Sequence, residues 1–244
     1  DGDTETDAST VNPAIRMWRY GRWNYLLMIS NFFAEELPMI LLKVFSSNNS
    51  QVGWFSRARA VSSYPRLATL PISQVLFPFT AASTPEDATR RTQILCRNWF
   101  SIMVVAVGLL AVFVKPIIVL LFGEEFLPSA SIFYALAPGV VFYPLLHFTE
   151  VHVAAAGKPK LVAGASFLTF LVAALSCWWL IPGHAAVGAG LSVSITYATG
   201  TLLRLTVFKK ITGSSISDIL VPRSSDWSYF RDIWNKLFSN TNRN

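Results

Sequence analysis

Ser56, Arg59, Ser62, Arg66, Thr69 and Ser73 recur at steps of three or four residues, so on a helix they form one broad polar stripe. A guanidinium is planar, permanently charged and able to grip a phosphate through two parallel N–H bonds. Two of them on one face, with hydroxyls between, suit the wall of an anion-accepting cavity. Arg57, two positions before Arg59, points to nearly the opposite side. The stripe lies in an otherwise apolar run, Val52–Phe79, with Arg66 about 14 residues or ~21 Å from its start. Charge at such depth is costly and usually faces a bundle interior or water. The competing reading is snorkelling, with Arg57 and Arg59 reaching outward and Arg66 inward past a kink at Pro65.

The counter-charges lie in the preceding apolar run, Trp23–Phe45, where Glu35 and Glu36 sit near the middle and Asn31 precedes Glu35 by one turn. The short Ser46–Gln51 connection makes the two runs a hairpin, placing Glu35 opposite Ser62 and within reach of Arg59. Two readings stand. The charges form a structural pair, because unpaired they are expensive, or they form a switch in which a cargo phosphate competes with Glu35 for the arginine. Further on, Tyr143, His147 and Glu150 share one face, suited to a proton relay or to a hydrogen-bonded pair near a wet helix end. His152 and His184 are expected at the membrane interface. No nucleophile–base arrangement, metal-ligand cluster or phosphate-loop glycine pattern stands out, so no catalytic site, metal or cofactor is expected.

Composition requires that these groups be held by membrane helices. The 244 residues are 52% hydrophobic and 14% charged, with mean hydropathy +0.44, whereas a water-soluble domain carries about 25% charged residues. Four further apolar runs follow the two above: Trp99–Phe122, Phe126–Ala155, Leu161–Ile181 and Ala185–Phe208. Each reaches the ~20 residues a membrane-crossing helix needs. Basic residues collect in alternate connections, at Arg16, Arg19 and Arg22, at Arg90, Arg91 and Arg97, at Lys158 and Lys160, and at Lys209 and Lys210. The intervening loops hold no Lys or Arg, which puts both ends in the cytoplasm. The net charge of +6 therefore points to anionic membrane lipids rather than nucleic acid. Cys96 and Cys177 fall at opposite membrane faces, too far apart for a disulfide.

Three parts follow: a polar linker over 1–13, a six-helix transmembrane lobe over 14–212 and a cytoplasmic tail over 213–244. The acidic opening has no initiator Met and no apolar signal region, and the sequence reads as a piece of something longer. In the tail, Trp227, Phe230, Trp234, Leu237 and Phe238 recur at helical spacing. That suits a helix lying in the headgroup layer, or one packed on the bundle's cytoplasmic end.

Several stretches resemble a known family. They are Val52–Pro78 with its GWFS opening, KPIIVLLFGEEFLPSASIFYALAPG (Lys115–Gly139), AAAGKPKL (Ala154–Leu161) and IPGHAAVGAGLS (Ile181–Ser192). Their order is similar to that in the C-terminal half of the polysaccharide-biosynthesis transporters, the Wzx-like flippases, which share a superfamily with lipid II flippases and multidrug extruders. The likeness spans roughly Ala14 to Gly213; two arginines so soon after GWFS depart from the motif. The resemblance implies an all-α integral membrane protein, one six-helix lobe of a two-lobed alternating-access exporter in a bacterial inner membrane. Its partner would be an N-terminal six-helix lobe of the same chain or a second copy. The implied cargo is a polyprenyl-pyrophosphate-linked oligosaccharide for surface polysaccharide. Arg59, Arg66, Ser62, Arg57 and Asn31 would meet its pyrophosphate and glycan, and Glu35, Glu36, His147 and Glu150 would pair or couple. The alternatives are a cation-coupled multidrug extruder, against which the basic stripe argues, and a membrane scaffold without transport.

Overall fold

A computed structural model describes residues 13–220 apart from Ser47 and Ile216. The acidic opening and the Asp226–Phe238 segment lie outside the described residues. Helices account for nearly all of them: α1 (Pro13–Phe45), α2 (Asn49–Leu67), α3 (Thr69–Ala82), α4 (Pro85–Phe122), α5 (Ser129–Ala155), α6 (Pro159–Thr212) and the short α7 (Ser217–Leu220). Local chemistry sets their starts. Asn48 caps α2 by accepting from Ser50 N–H at 2.9 Å. Thr84 accepts from Asp87 N–H at 3.3 Å ahead of Pro85 at the first position of α4, the arrangement helix N-termini favour.

Among the described residues four helical segments are long and apolar enough to cross a membrane: Gly21–Phe45, Pro85–Phe122, Ser129–Ala155 and Pro159–Thr212. The last has 54 residues and would reach ~81 Å if straight, far beyond a hydrocarbon core of about 30 Å. It does not run straight. Ala185 adopts φ 47°, ψ −126°, and Arg204 hydrogen-bonds Ser166 at 2.7 Å, so the two arms of α6 fold back on each other as an antiparallel pair. An alanine at positive φ is strained by its Cβ. Ala185→Gly should relieve that strain, offset in part by glycine's greater unfolded-chain entropy. A net gain of roughly 0.5–1 kcal/mol is expected, read as a raised thermal midpoint in detergent.

The expected continuous second span is broken. Its helix stops at Leu67 and restarts at Thr69, with Ala68 as the joint. Pro71 explains the break, because it lacks the N–H that would bond Leu67 and its ring crowds that carbonyl. The α2–α3 pass falls outside the four apolar segments because α2 carries Arg57, Arg59 and Arg66.

With α2–α3 as one broken pass and α6 as two, the described residues traverse the bundle six times. One end gathers the 46–48, 123–128 and 182–185 connections. There Gln51 Oε1 accepts from Ala186 N–H at 3.4 Å, Trp54 Nε1 donates to Glu125 O at 3.0 Å and Phe45 meets Trp178. Arg90, Arg91, Lys158, Lys160, Lys209 and Lys210 lie toward the other, basic end, where Thr92 bonds His152 and Lys160 sits over Trp23. Cys96 and Cys177 are buried and free.

Helix α5 is the axis, packed against α2, α3, α4 and α6, while α1 packs on α6. Helices α5 and α6 meet closely at Gly139, where a Cβ would stand 2.4 Å from Ser194 Cα, so only glycine fits. Ser194 Oγ there accepts from Gly139 N–H at 3.1 Å and donates to Ala135 O at 2.5 Å. Those two groups would close one rung of a regular helix, so a hydroxyl from α6 is inserted into α5 beside Pro138. Two apolar clusters form the core. Leu42, Phe55, Met103, Ile118, Phe133 and Ile181 belong to one, and Leu76, Cys96, Leu145, Phe148, Leu205 and Phe208 to the other. Along α5 and the second arm of α6, polar residues lie between the two clusters.

Candidate functional site

The antiparallel α1–α2 hairpin brings the first charge cluster together. Arg59 grips Glu36 with two bonds, 2.7 Å to Oε1 and 3.1 Å to Oε2, and lies 3.8 Å from Glu35. Arg66, two turns further along the same face, bonds Glu35 at 3.3 Å. It also donates to the Tyr197 hydroxyl, which donates to Glu35 at 3.3 Å. The Arg66 guanidinium lies 5.0 Å from the Tyr143 ring centre and 5.7 Å from that of Tyr197, a cation–π setting. Its Nε, though buried, has no hydrogen-bond partner among the described residues. Ser62 lies between the arginines but donates its proton to Arg59 O at 2.8 Å. The side chains of Glu35 and Glu36 remain 37% and 35% exposed, so this cluster opens onto the flank of the bundle.

A second cluster is sealed inside. Arg204, 2% exposed, bonds Glu150 through Nε at 2.8 Å and Nη2 at 2.7 Å. It reaches Asn31 Oδ1 at 3.1 Å, Ser166 Oγ at 2.7 Å, Thr169 Oγ1 at 3.4 Å and Gly200 O at 3.3 Å. Asn31 donates to both Glu150 oxygens at 3.3 Å. One guanidinium thus ties α1, α5 and both arms of α6. Across the two clusters Arg59, Arg66 and Arg204 balance Glu35, Glu36 and Glu150, so the polar layer is neutral as it stands.

Asn31, Glu35, His147, Glu150, Tyr197 and Arg204 border a cavity of about 160 Å³ between the clusters. That is room for several waters but below the ~300 Å³ at which ligand pockets begin. The space beside Arg59 and Arg66 is smaller still, about 10 Å³. His147 Nε2 lies 3.0 Å from Ser73 Oγ. Since Ser73 gives its single proton to Leu70 O at 2.7 Å, it can only accept from the ring. Nε2 therefore carries the proton, and Nδ1 is left as an acceptor.

The residues singled out from sequence thus separate into groups. Arg59, Arg66, Ser62, Glu35 and Glu36 meet in the first cluster, and Asn31 and Glu150 in the second. His147 borders the cavity with Glu150, but each bonds a different partner. Arg57 lies apart, 5.1 Å and 5.5 Å from the ring centres of Phe122 and Phe126. His152, expected at the interface, is 3% exposed, because Thr92 on α4 and Phe208 on α6 enclose it. His184 is exposed. Sequence reasoning passed over Arg204 and Tyr197. Their spacing of two helical turns on one face was a usable signal, but Arg204 lies near the end of its run, where an arginine reads as an interface anchor.

The profile of the polysaccharide biosynthesis protein family matches residues 8–131, half of the chain. The chain belongs to that family. The match takes in α1 to α4 and with them Glu35, Glu36, Arg59 and Arg66. Glu150, Tyr197 and Arg204 lie beyond it. No curated protein and no solved structure matches. Family membership gives this polysaccharide biosynthesis protein a role in polysaccharide synthesis or export, and its apolar helices make it a multi-pass membrane protein.

Proposed function

We propose that this polysaccharide biosynthesis protein is a flippase that carries polyprenyl-pyrophosphate-linked oligosaccharide across a bacterial inner membrane. The observation that carries the reading is the pairing of Arg59 and Arg66 with Glu36 and Glu35 on a half-open flank. Both arginines are held in place by carboxylates that a stronger anion can displace. Pyrophosphate brings more negative charge than one carboxylate and matches the guanidinium fork. Its arrival takes over Arg59 and Arg66 as the carboxylates withdraw from them. The freed Glu35 and Glu36, repelled by the phosphates, turn away or take up protons. Departure of the cargo lets the carboxylates return, so the empty site is neutral and stable in the membrane.

The cargo site then lies between this six-helix lobe and a companion, supplied by the same chain or a second copy, with rocking of the two exposing it to either face. The basic end faces the cytoplasm, where positive loops are retained. A drug extruder for cations is disfavoured, since Arg59 and Arg66 would repel its cargo. The test is translocation of a fluorescent polyprenyl-pyrophosphate oligosaccharide by the native full-length protein in proteoliposomes. Transport that stops in the Arg59→Gln, Arg66→Gln double variant, with normal insertion, is the expected result. Transport at the parental rate in that variant, or none by the parent protein, removes the reading.

A further inference from the structure

At the basic end, the α3–α4 turn and the last turns of α5 and α6 leave an open cleft of about 660 Å³. It shares no bordering residue with the cavity between the charge clusters, and it is large enough for a ligand. Its walls are unlike those of a lipid site. Thr89, Gln93, Thr80 and His152 contribute hydroxyl, amide and imidazole groups, and among the described residues no Phe, Tyr or Trp borders it. Its charged residues are Glu86 and Arg90, one helical turn apart and of opposite sign, so the cleft does not select an anion or a cation.

Two groups buried in its wall have hydrogen-bonding capacity left over. Thr92 gives its proton to Ala88 O at 2.9 Å while lying 2.9 Å from His152 Nδ1. Nδ1 must therefore be the donor to Thr92, which leaves Nε2 of this cleft residue as an acceptor. The Thr80 hydroxyl is buried without a hydrogen-bond partner among the described residues, and such groups usually have one, from protein, water or ligand. A neutral cleft rich in both donors and acceptors matches a polyhydroxylated neutral molecule.

We infer that this cleft binds a short neutral stretch of glycan, the sugar portion of the cargo whose pyrophosphate engages Arg59 and Arg66. The inference rests on the flippase reading for the identity of the cargo. Ala155, on the cleft, and His147, on the inner cavity, are separated by about 12 Å along the axis of α5. Val140, which borders the space beside Arg59 and Arg66, lies about 22 Å from Ala155 along α5, a span that an oligosaccharide of several sugars covers, with its outer sugars held at the basic end before translocation. In this arrangement the Arg59–Arg66 cluster recognises the pyrophosphate, and the cleft reads the glycan.

The experiment is saturation-transfer NMR on the native full-length protein in detergent. Its probes are neutral trisaccharides of glucose, galactose and N-acetylglucosamine, with glycerol phosphate for a lipid headgroup and inorganic pyrophosphate for the charge site. At least one trisaccharide should bind, and Ala155→Phe, which fills the cleft, should abolish that binding. Gln93→Leu, a milder change that keeps the test alive if the larger side chain disturbs folding, should weaken it about tenfold through lost hydrogen bonds. Pyrophosphate binding should survive both changes and be lost in Arg59→Gln, Arg66→Gln. Failure of every trisaccharide, saccharide binding indifferent to both cleft variants, or cleft-dependent binding of glycerol phosphate instead would each overturn the inference. Loss of the flippase reading shows separately, as unaltered translocation in the arginine variant, because the saccharide readout does not involve transport.

Discussion

Arg204→Ala should collapse the centre of the bundle, lowering its stability by about 3–5 kcal/mol, the cost of leaving a buried charge without its partner. The magnitude follows from what the guanidinium holds. It is 2% exposed and makes side-chain bonds to Glu150, Asn31, Ser166 and Thr169, spread over α1, α5 and the first arm of α6. Removing it strands the Glu150 carboxylate, whose other bonds come from the Asn31 amide. Glu150→Gln should cost less, because an amide still offers an oxygen to the arginine and carries no charge. The decisive comparison is the double variant Arg204→Met, Glu150→Leu. If burial of opposite charges is the whole story, replacing both with apolar groups should recover much of the loss. Thermal unfolding of the four proteins in one detergent reads this directly, and an Arg204→Ala protein as stable as its parent would show that the cluster contributes nothing to the fold.

The second large effect has opposite signs on two residues that touch. Arg66→Gln should weaken pyrophosphate binding about 10- to 100-fold, the worth of charge-assisted hydrogen bonds. Glu35→Gln should strengthen it, because the competitor that holds Arg66 at 3.3 Å loses its charge. Translocation need not follow affinity. A protein that cannot restore its carboxylate lock should release cargo slowly, so Glu35→Gln should bind tightly and flip poorly. A purely structural ion pair predicts something different, with both variants less stable and neither binding more tightly. Titration of inorganic pyrophosphate, followed by the flipping assay, separates the two.

The helical passes were legible because the signals for them are local. Apolar length identified Trp23–Phe45 and Trp99–Phe122, and the polar Ser46–Gln51 connection marked a hairpin whose equal-depth rule put Glu35 and Arg59 near each other. They lie 3.8 Å apart. The alternation of basic connections with ones that lack Lys and Arg also carried through, with the two loop sets gathered at opposite ends. The break at Ala68 was barely visible: a kink at Pro65 belongs only to the snorkelling alternative, and Pro71, whose missing N–H ends the helix, has no part in either reading.

Sequence by itself determined that this is a helical membrane protein with charges inside its spans, because hydropathy and three-to-four-residue spacing are properties of neighbouring residues. Only the tertiary structure decided which charges meet. Arg59 takes Glu36 as its close partner although Glu35 is adjacent, Arg204 joins residues from Asn31 to Glu150, and His152 is enclosed rather than interfacial. Those outcomes depend on how far each helix is rotated about its axis and on the reversal of α6 at Ala185, and neither leaves a periodic trace along the chain.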